Sequence, residues 1–278
     1  MARNAGIYKS PAEIAAMVRP GVLTASALDA VRAAVGAGVT TLELDAVAER
    51  VIRDGGGEPN FMLEPGYRHT VCVSVNDEVV HGVPGSRVIH PGDIVSIDCG
   101  AVVDGWHGDS AITIVVPDAS RPELVASRQK LSDVTERSLW AGIAALAHAK
   151  HLNDIGGFIE AVIDEAGEGY GIIEDFVGHG IGRAMHEEPP VFNYSVRERG
   201  PKIKPGLVVA IEPMVTEGTI ETHVLADEWT IATDDGGMAA HWEHSVAVHD
   251  RGIWVLTAHD GGAAQLASFG VVPVAPAP

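Results

Sequence analysis

The sequence predicts an α+β fold with two similar halves. Two helix-like segments are followed by strand-like segments, and the same order then occurs a second time along the chain. Helices are predicted where apolar residues recur every three or four positions, and strands where short apolar runs are bounded by turn residues. The predicted helices cover residues 10–35, 41–54, 122–149 and 151–166, and the predicted strands cover residues 71–74, parts of 94–116 and parts of 170–255.

The first two helices have clear boundary signals. Ser10 is a good N-cap, Pro11 fits the first helical position, and Glu13 three residues after the cap completes a capping box. The second helix ends at three consecutive glycines, residues 55–57, which act as a stop. Its apolar stripe consists of Leu42, Leu44, Val47, Ala48 and Val51.

Composition and charge limit the classes of function. The chain has 278 residues, of which 46% are hydrophobic and 21% charged, as in an ordinary globular protein with one large domain or two moderate ones. The formal net charge of -19 argues against nucleic acid or an anionic membrane as a partner. No run of 18 apolar residues occurs and the N-terminal segment lacks the apolar stretch of a secretory signal, so we expect no membrane attachment.

Cysteine usage indicates a reducing compartment. Cys72 and Cys99 are the two cysteines of the chain. Two isolated thiols are expected to be reduced in a cytoplasmic protein, with a structural disulfide as the less favoured alternative.

Five charged side chains lie where a charge is otherwise out of place, on apolar strand ends or in glycine-rich turns. Buried charges are normally paired or coordinate a metal, so a shared cation would account for them together. A set of four carboxylates and one imidazole suits an open, oxygen-rich site rather than a structural zinc. The five residues are Asp98, Asp109, His179, Glu212 and Glu243.

Two of these carboxylates are predicted to share one β-hairpin. Asp104 and Gly105 form a strong two-residue hairpin turn. That turn places Asp98 opposite Ala111, and Asp109 lies two residues from Ala111 on the same face. The two aspartates are then diagonal neighbours, roughly 7–8 Å apart at the backbone. A β-bulge would shift this register.

Six motifs, in this order and spacing, resemble the type I methionine aminopeptidases. They are "VNDEVVHGVPG", "GDIVSIDCG", "DGWHGDSAIT", "GHGIGRAMHEEPPV", "AIEPM" and "HWEHSVAV". The resemblance covers residues 10–257 and is closest to the actinobacterial form. It implies a pita-bread fold, with two pseudo-symmetric α+β halves and a central antiparallel sheet flanked by helices. It leaves residues 1–9 as an N-terminal extension and the Gly/Ala/Pro-rich residues 258–278 as a flexible tail.

The resemblance also implies roles for single residues. Asp109 and Glu243 would bridge two divalent metal ions, Asp98 would bind one ion, and His179 with Glu212 would bind the other. Mn, Fe(II), Co and Zn all suit such a site, and the sequence does not choose among them. His81 would contact the scissile amide nitrogen and His186 the substrate carbonyl, while Glu212 would also move a proton from the attacking water to the leaving amine. The remaining substrate-binding positions would be Tyr67, Cys72 and Trp229.

The segment 61–70 departs from the family pattern. Phe61 and Glu64 replace the expected residues beside the pocket, and Met185 stands where an aromatic residue is common. Glu64 either faces solvent or lines the pocket, where a carboxylate would weaken an apolar site for methionine. The neighbouring His241 and His244 are interpreted as ordinary polar residues beside Glu243.

The expected function is removal of the initiator methionine from nascent chains with a small second residue. The partners would be nascent N-termini and, transiently, the ribosome, and the protein would be a cytoplasmic monomer. Two alternatives remain: an X-Pro aminopeptidase-like enzyme, whose histidine motifs differ from those of this chain, and a non-catalytic peptide-binding relative, which would have lost metal ligands.

Overall fold

The computed structural model describes residues 6–277, and its elements follow the predicted order of helices and strands. The α-helices of this part of the chain are α1 (Pro11–Ala34), α2 (Thr41–Asp54), α3 (Pro122–Ala145), α4 (Asp154–Glu165) and α5 (Ala263–Leu266). The strands are β1 (Glu58–Pro59), β2 (Val71–Val75), β3 (Glu78–Val80), β4 (Ile94–Val103), β5 (Trp106–Val115), β6 (Tyr170–Ile172), β7 (Gly178–Gly180), β8 (Glu187–Val191), β9 (Val208–Ile211), β10 (Met214–Glu217), β11 (Thr222–Val224), β12 (Ile231–Thr233), β13 (Ala239–His241), β14 (His244–His249) and β15 (Gly252–Val255).

The first half places α1 and α2 against a sheet whose centre is β4. Strands β1, β2 and β5 all pair with β4, and α1 contacts both β4 and β5. Helix α1 begins with the predicted capping box, since the Ser10 hydroxyl accepts from the Glu13 amide and the Glu13 carboxylate accepts from the Ser10 amide. Helix α2 has the predicted bounds.

The hairpin β4–β5 has the predicted register. Asp104 and Gly105 both adopt positive φ angles, 51° and 71°, as a two-residue type I′ turn requires. Asp98 then lies opposite Ala111, and Asp109 lies opposite Gly100. No bulge interrupts the ten residue pairs that link the two strands.

The second half repeats the arrangement of two helices packed on antiparallel strands. Its five-stranded sheet has the order β15-β14-β9-β7-β8, and a smaller sheet has the order β13-β10-β6. A third sheet, β11-β12-β3, joins the halves because β3 belongs to the first half. Every strand pair among residues 6–277 is antiparallel. The halves meet where Ala111 of β5 and Glu243 exchange backbone hydrogen bonds of 3.0 and 3.3 Å.

Two helix boundaries differ from the prediction. Helix α3 ends at Ala145 rather than at residue 149, because the amides of the following residues bond to carbonyls three positions back and tighten the chain into turns. Helix α4 begins at Asp154 rather than at residue 151, because His151 forms a β-bridge with Lys202.

Residues 258–277, which lie in the predicted flexible tail, pack against the fold in the structure. Leu266 is fully buried and Val271 is 6% exposed, so this segment contributes apolar side chains to the core. The Val274 amide donates to the Ile253 carbonyl (3.0 Å), and His249 Nε2 lies 2.7 Å from the Val274 carbonyl oxygen. The Gly/Ala/Pro-rich composition of this segment did not reveal these buried residues and hydrogen bonds, because they are widely spaced along it.

The predicted N-terminal extension, residues 1–9, is described from residue 6 onward. Its final residues are held by the second half of the domain, since Tyr8 forms a β-bridge with Leu207 and the Lys9 amide donates to Gly206 (2.7 Å). The Lys9 ammonium also pairs with Glu187 at 2.7 Å.

Helix α1 joins the two halves through its buried face. By length and composition alone it could cross a membrane, yet half of its most apolar window is buried inside the fold. Its residues Ile14 and Met17 belong to a core cluster with residues from several strands of both halves. The other members are Trp106, Ile181, Val208, Ala247 and Leu256.

Candidate metal centre and adjoining pocket

A cavity of about 150 Å³ lies beside the junction of the two halves. The structure brings all five predicted metal ligands and all five predicted substrate-binding residues to its wall. The lining consists of Asp98, Asp109, His179, Glu212, Glu243, His81, His186, Tyr67, Cys72, Trp229, Phe61, Glu64, Val80 and Met185.

The hairpin β4–β5 carries two of the carboxylates. Asp109 is 3% exposed, and Asp98 keeps partial exposure where it lines the cavity. Within residues 6–277, Oδ1 of each side chain is buried without a hydrogen-bond partner. Burial raises the pKa of Asp98 to about 7, and burial together with the neighbouring Asp98 and Glu212 raises the pKa of Asp109 well above its usual range. Ionised, these groups need a compensating positive charge.

His179 is oriented as a ligand by its own backbone neighbourhood. Its Nδ1 lies 2.9 Å from the Gly180 carbonyl oxygen, which can only accept a hydrogen bond and therefore fixes the N–H at Nδ1. Burial lowers the pKa of His179 to about 4, so the ring is neutral and Nε2 keeps a free lone pair. That nitrogen lies 3.4 Å from Glu212 Oε1.

Glycine flanks His179 because β7 is crowded. A Cβ on Gly180 would lie 2.2 Å from the Glu188 carbonyl oxygen, and one on Gly178 would lie 2.4 Å from that of Ala210. The glycines therefore let β7 pass between β8 and β9 and present the imidazole to the cavity.

Glu243 is fixed against the hairpin of the first half. Besides its backbone pairing with Ala111, its carbonyl accepts a 2.6 Å hydrogen bond from the Ser110 hydroxyl. Its side chain is 2% exposed and Oε1 has no partner. Ligand atoms of Asp109, His179 and Glu243 lie within 4.8 Å of one another.

These residues fit a divalent cation. Among residues 6–277, Asp98, Asp109 and Glu243 each have a buried carboxylate oxygen without a hydrogen bond. Asp109 and Glu243 form a close group with His179, and Asp98 lines the same cavity. Buried oxygens of this kind are satisfied by a hydrogen-bond donor or by a metal ion. Carboxylate and imidazole donors together suit divalent ions such as Mn, Fe, Co or Zn.

The two predicted catalytic histidines border the candidate centre. The ring of His186 lies 4.5 Å from that of His179, and the ring of His81 lies 5.7 Å from that of Phe176. Burial lowers the pKa of both His81 and His186, so both are neutral imidazoles near pH 7. His81 also has a positive φ angle of 59°, a strained conformation that persists where the surroundings enforce it.

An apolar pocket adjoins the carboxylates. The Tyr67 and Trp229 rings meet edge to face at 5.0 Å, and Phe61 lies edge-on to Tyr67 at 6.2 Å. Cys72 and Met185 complete this buried cluster. Cys72 and Cys99 are free thiols, as predicted.

Glu64 lines the cavity rather than facing away from it. Its charge acts on Asp109 and on His186, which places the carboxylate on the side of the pocket nearest the candidate centre. Segment 61–70 therefore introduces an acidic group into a mainly apolar pocket.

Sequence reasoning missed the position of His241. Its Nε2 lies 3.8 Å from Glu212 Oε2, so it borders a predicted ligand. The available signal was its place two residues before Glu243, since alternate residues of an extended chain share a face. His244 binds the Thr257 and Ser110 hydroxyls and has no place at the cavity wall.

The chain is similar in sequence to known metallopeptidases. The sequence profile of the metallopeptidase family M24 matches residues 15–250. Methionine aminopeptidase 1 of Mycobacterium tuberculosis is 48% identical over 254 residues, covering 90% of this chain and 94% of the relative. Methionine aminopeptidase 1 of Bacillus subtilis is 41% identical, covering 90% and 98% of the two chains.

Solved structures give the same result. The methionine aminopeptidase of Thermotoga maritima has a TM-score of 0.83 at 36% identity, covering 90% of this chain and 98% of its own. A prolidase from Pyrococcus horikoshii, at 20% identity and a TM-score of 0.70, shares the fold. The chain therefore belongs to metallopeptidase family M24 and has the predicted pita-bread fold. Within that family it groups with the type I methionine aminopeptidases, as its motifs predict.

Proposed function

We propose that this protein is a metal-dependent aminopeptidase that removes the N-terminal methionine from proteins and peptides with a small second residue. The observation that carries the proposal is the cluster of buried, unpartnered carboxylate oxygens beside His179, directly adjoining an apolar pocket. A methionine side chain needs such an apolar pocket, and hydrolysis of a peptide bond needs a charged centre next to it.

Five residues would hold the metal. Asp98, Asp109, His179, Glu212 and Glu243 would hold the divalent ions through their carboxylate and imidazole groups, with Asp109 and Glu243 as the proposed shared ligands. Bound ions would supply a nucleophile from water at neutral pH and would polarise the scissile carbonyl. Mn, Fe(II), Co and Zn are the candidates.

The remaining residues would bind substrate and move protons. Tyr67, Cys72 and Trp229 would enclose the methionine side chain. His81 would contact the scissile amide nitrogen and His186 the substrate carbonyl, and neutral imidazoles suit both contacts because they can donate or accept a hydrogen bond. Glu212 would take the proton of the attacking water and deliver it to the leaving amine.

Several wider properties belong to the same proposal. Residues 10–257 would form the catalytic domain, acting as a monomer in the cytoplasm on the N-termini of nascent chains, with transient contact to the ribosome. The charge of -19 supports the absence of a direct nucleic-acid partner.

A peptide assay tests the function. The protein, treated with chelator and then supplied with Mn(II) or Co(II), should release methionine from Met-Ala-Ser and leave Ala-Pro-Ser intact. Faster cleavage of Ala-Pro-Ser than of Met-Ala-Ser would favour an X-Pro enzyme. Intact Met-Ala-Ser with either metal, with peptide still bound, would favour a non-catalytic peptide-binding protein.

A further inference from the structure

We propose that His241 is a positioning residue that fixes the carboxylate of Glu212 through a hydrogen bond from Nε2 to Oε2. This inference rests on the proposed function, since it concerns how one proposed metal ligand and proton carrier is held. It adds a residue that the motifs leave without a role.

The backbone of His241 is clamped by the hairpin of the opposite half. Its amide lies 3.2 Å from the Ser96 hydroxyl oxygen and 3.0 Å from that of Thr113. Its carbonyl accepts a 2.7 Å hydrogen bond from the Thr113 hydroxyl. Because the proton of Thr113 is used in that bond, Ser96 must donate in the 2.9 Å contact between the two hydroxyls. Such a network leaves the ring little freedom to move.

The His241 ring is buried and lacks a partner at Nε2. The residue is 1% exposed, and Nε2 has no hydrogen bond within residues 6–277. The carboxylate that faces this nitrogen is that of Glu212, with Oε2 at 3.8 Å. A slight rotation of the Glu212 side chain shortens this separation to a hydrogen bond and satisfies both atoms.

The two oxygens of Glu212 thus face two histidines in different ways. At Oε1 stands His179, whose Nε2 carries no proton because Nδ1 donates to Gly180. His179 Nε2 and Glu212 Oε1 therefore both offer a lone pair, and a cation between them would suit both atoms. At Oε2 stands His241, whose Nε2 can carry the proton. A hydrogen bond to the second oxygen fixes the orientation of a ligating carboxylate, which is the usual function of residues behind a metal ligand.

Replacing His241 with Gln, Asn or Leu tests the proposal. Gln places an amide N–H near the position of Nε2, whereas Asn is too short to reach Oε2 and Leu has no donor. We expect His241→Gln to keep Mn(II) affinity and kcat close to those of the unchanged protein. His241→Asn and His241→Leu should each lose about 10–100-fold in Mn(II) affinity or in kcat, the usual effect of removing a group that orients a metal ligand, with little change in KM.

Calorimetric titration measures Mn(II) affinity, and peptide kinetics measure kcat and KM. The melting temperature of every variant is measured as well. His249→Leu is the matched control. His249 is a buried histidine of β14 whose Nε2 contacts Val274, and it does not line the cavity. Equal affinity and kcat in the Gln and Asn variants would overturn the proposal even if His241→Leu does not fold. Failure of the unchanged protein to bind Mn(II) or to cleave Met-Ala-Ser would instead contradict the proposed function.

Discussion

Glu212 has two proposed tasks, and its position suggests how they can be separated. The residue follows β9, its carbonyl accepts a 3.1 Å hydrogen bond from Asn193, and its carboxylate lies between His179 and His241. Burial raises the pKa of Glu212 well above its usual range, and the nearby Asp98 adds to the shift. Without metal, such a carboxylate holds a proton more readily than an exposed one, and metal binding must displace that proton.

Glu212→Gln should separate the chemical step from binding. Glutamine keeps the shape and one ligating oxygen but loses charge and basicity. We expect kcat to fall by about 10²–10⁴, the range for a positioned acid–base group, with a much smaller loss of affinity for a methionine product analogue. Single-turnover kinetics and inhibitor titration measure the two quantities. Full turnover in this variant would exclude the proton-carrying role.

His81→Ala and His186→Ala address the two neutral histidines. Each should lower kcat by about 10² or more while metal content stays normal. Metal analysis of the purified variants is the control: if metal is lost instead, the histidine belongs among the ligands. Near-normal turnover in both variants would remove them from the reaction.

Glu64 is the residue whose replacement should improve the enzyme. Its carboxylate lines the pocket, where a methionine thioether gains from apolar neighbours. Glu64→Tyr should lower KM for Met-Ala-Ser by up to about tenfold, within the 1–3 kcal/mol that one apolar contact contributes. Leu63→Tyr is the matched control, because Leu63 is 53% exposed and does not line the cavity. Unchanged kcat/KM in Glu64→Tyr, with normal metal content, would remove Glu64 from specificity.

At the scale of elements, the pocket depends on how helix α2 holds segment 61–70. Asp45, 6% exposed, accepts hydrogen bonds at Oδ1 from the amides of Thr70 (2.7 Å) and Val71 (3.1 Å). Its Oδ2 lies 3.2 Å from His69 Nδ1. These contacts fix the end of the segment where β2 begins, one residue before Cys72 enters the pocket wall.

Asp45→Ala should loosen the pocket without touching the candidate metal centre. Each buried amide left without a partner costs about 1–3 kcal/mol, so we expect a lower melting temperature together with a higher KM and a nearly constant Mn(II) affinity. Glu49→Ala is the control on the same helix, because Glu49 forms an exposed pair with Arg53 that contributes little. A normal KM in a destabilised Asp45→Ala protein would contradict the link between helix and pocket.

Local signals explain which elements could be predicted. The capping box at Ser10, the glycine stop after Asp54 and the turn at Asp104 each act within a few residues, and the structure has these boundaries. The pairing of Ala111 with Glu243 joins distant parts of the chain and follows from no local pattern. The sequence also did not determine whether Glu64 faces solvent or the pocket, because residues 61–70 have no regular apolar period that assigns them to a face.

At the scale of the molecule, the carboxylate cluster links pH, metal and stability. Without metal, burial raises the pKa of Asp98 to about 7 and the pKa values of Asp109, Glu212 and Glu243 well above their usual range. The folded chain thus holds protons that the unfolded chain releases near pH 4. Stability from these groups is present at low pH and is lost as the pH rises through 7 and beyond.

We therefore expect the melting temperature of chelator-treated protein to fall between pH 7 and pH 9. Buried histidines contribute little there, because the folded rings have lowered pKa values and the unfolded rings, with a pKa of about 6.5, are also mostly neutral. Mn(II) should raise the melting temperature more at pH 9 than at pH 7, because its ligands must lose their protons. Scanning fluorimetry measures this, and Asp109→Asn should show a flatter slope and a smaller Mn(II) shift. An Mn(II) shift that shrinks as the pH rises would contradict the linkage.

Helix α1 is made early in synthesis, but its partners come from nearly the whole chain. Ile14 and Met17 pack with Ala247 and Leu256, and the helix approaches residue 256 so closely that a Cβ on Gly21 would lie 2.4 Å from the Leu256 carbonyl oxygen. While the ribosome is still adding the second half, the helix can pack on β4 and β5, but Ile14 and Met17 still lack their partners Ala247 and Leu256. A domain with such distant contacts closes late, and until then the uncovered apolar residues of this helix face are open to aggregation.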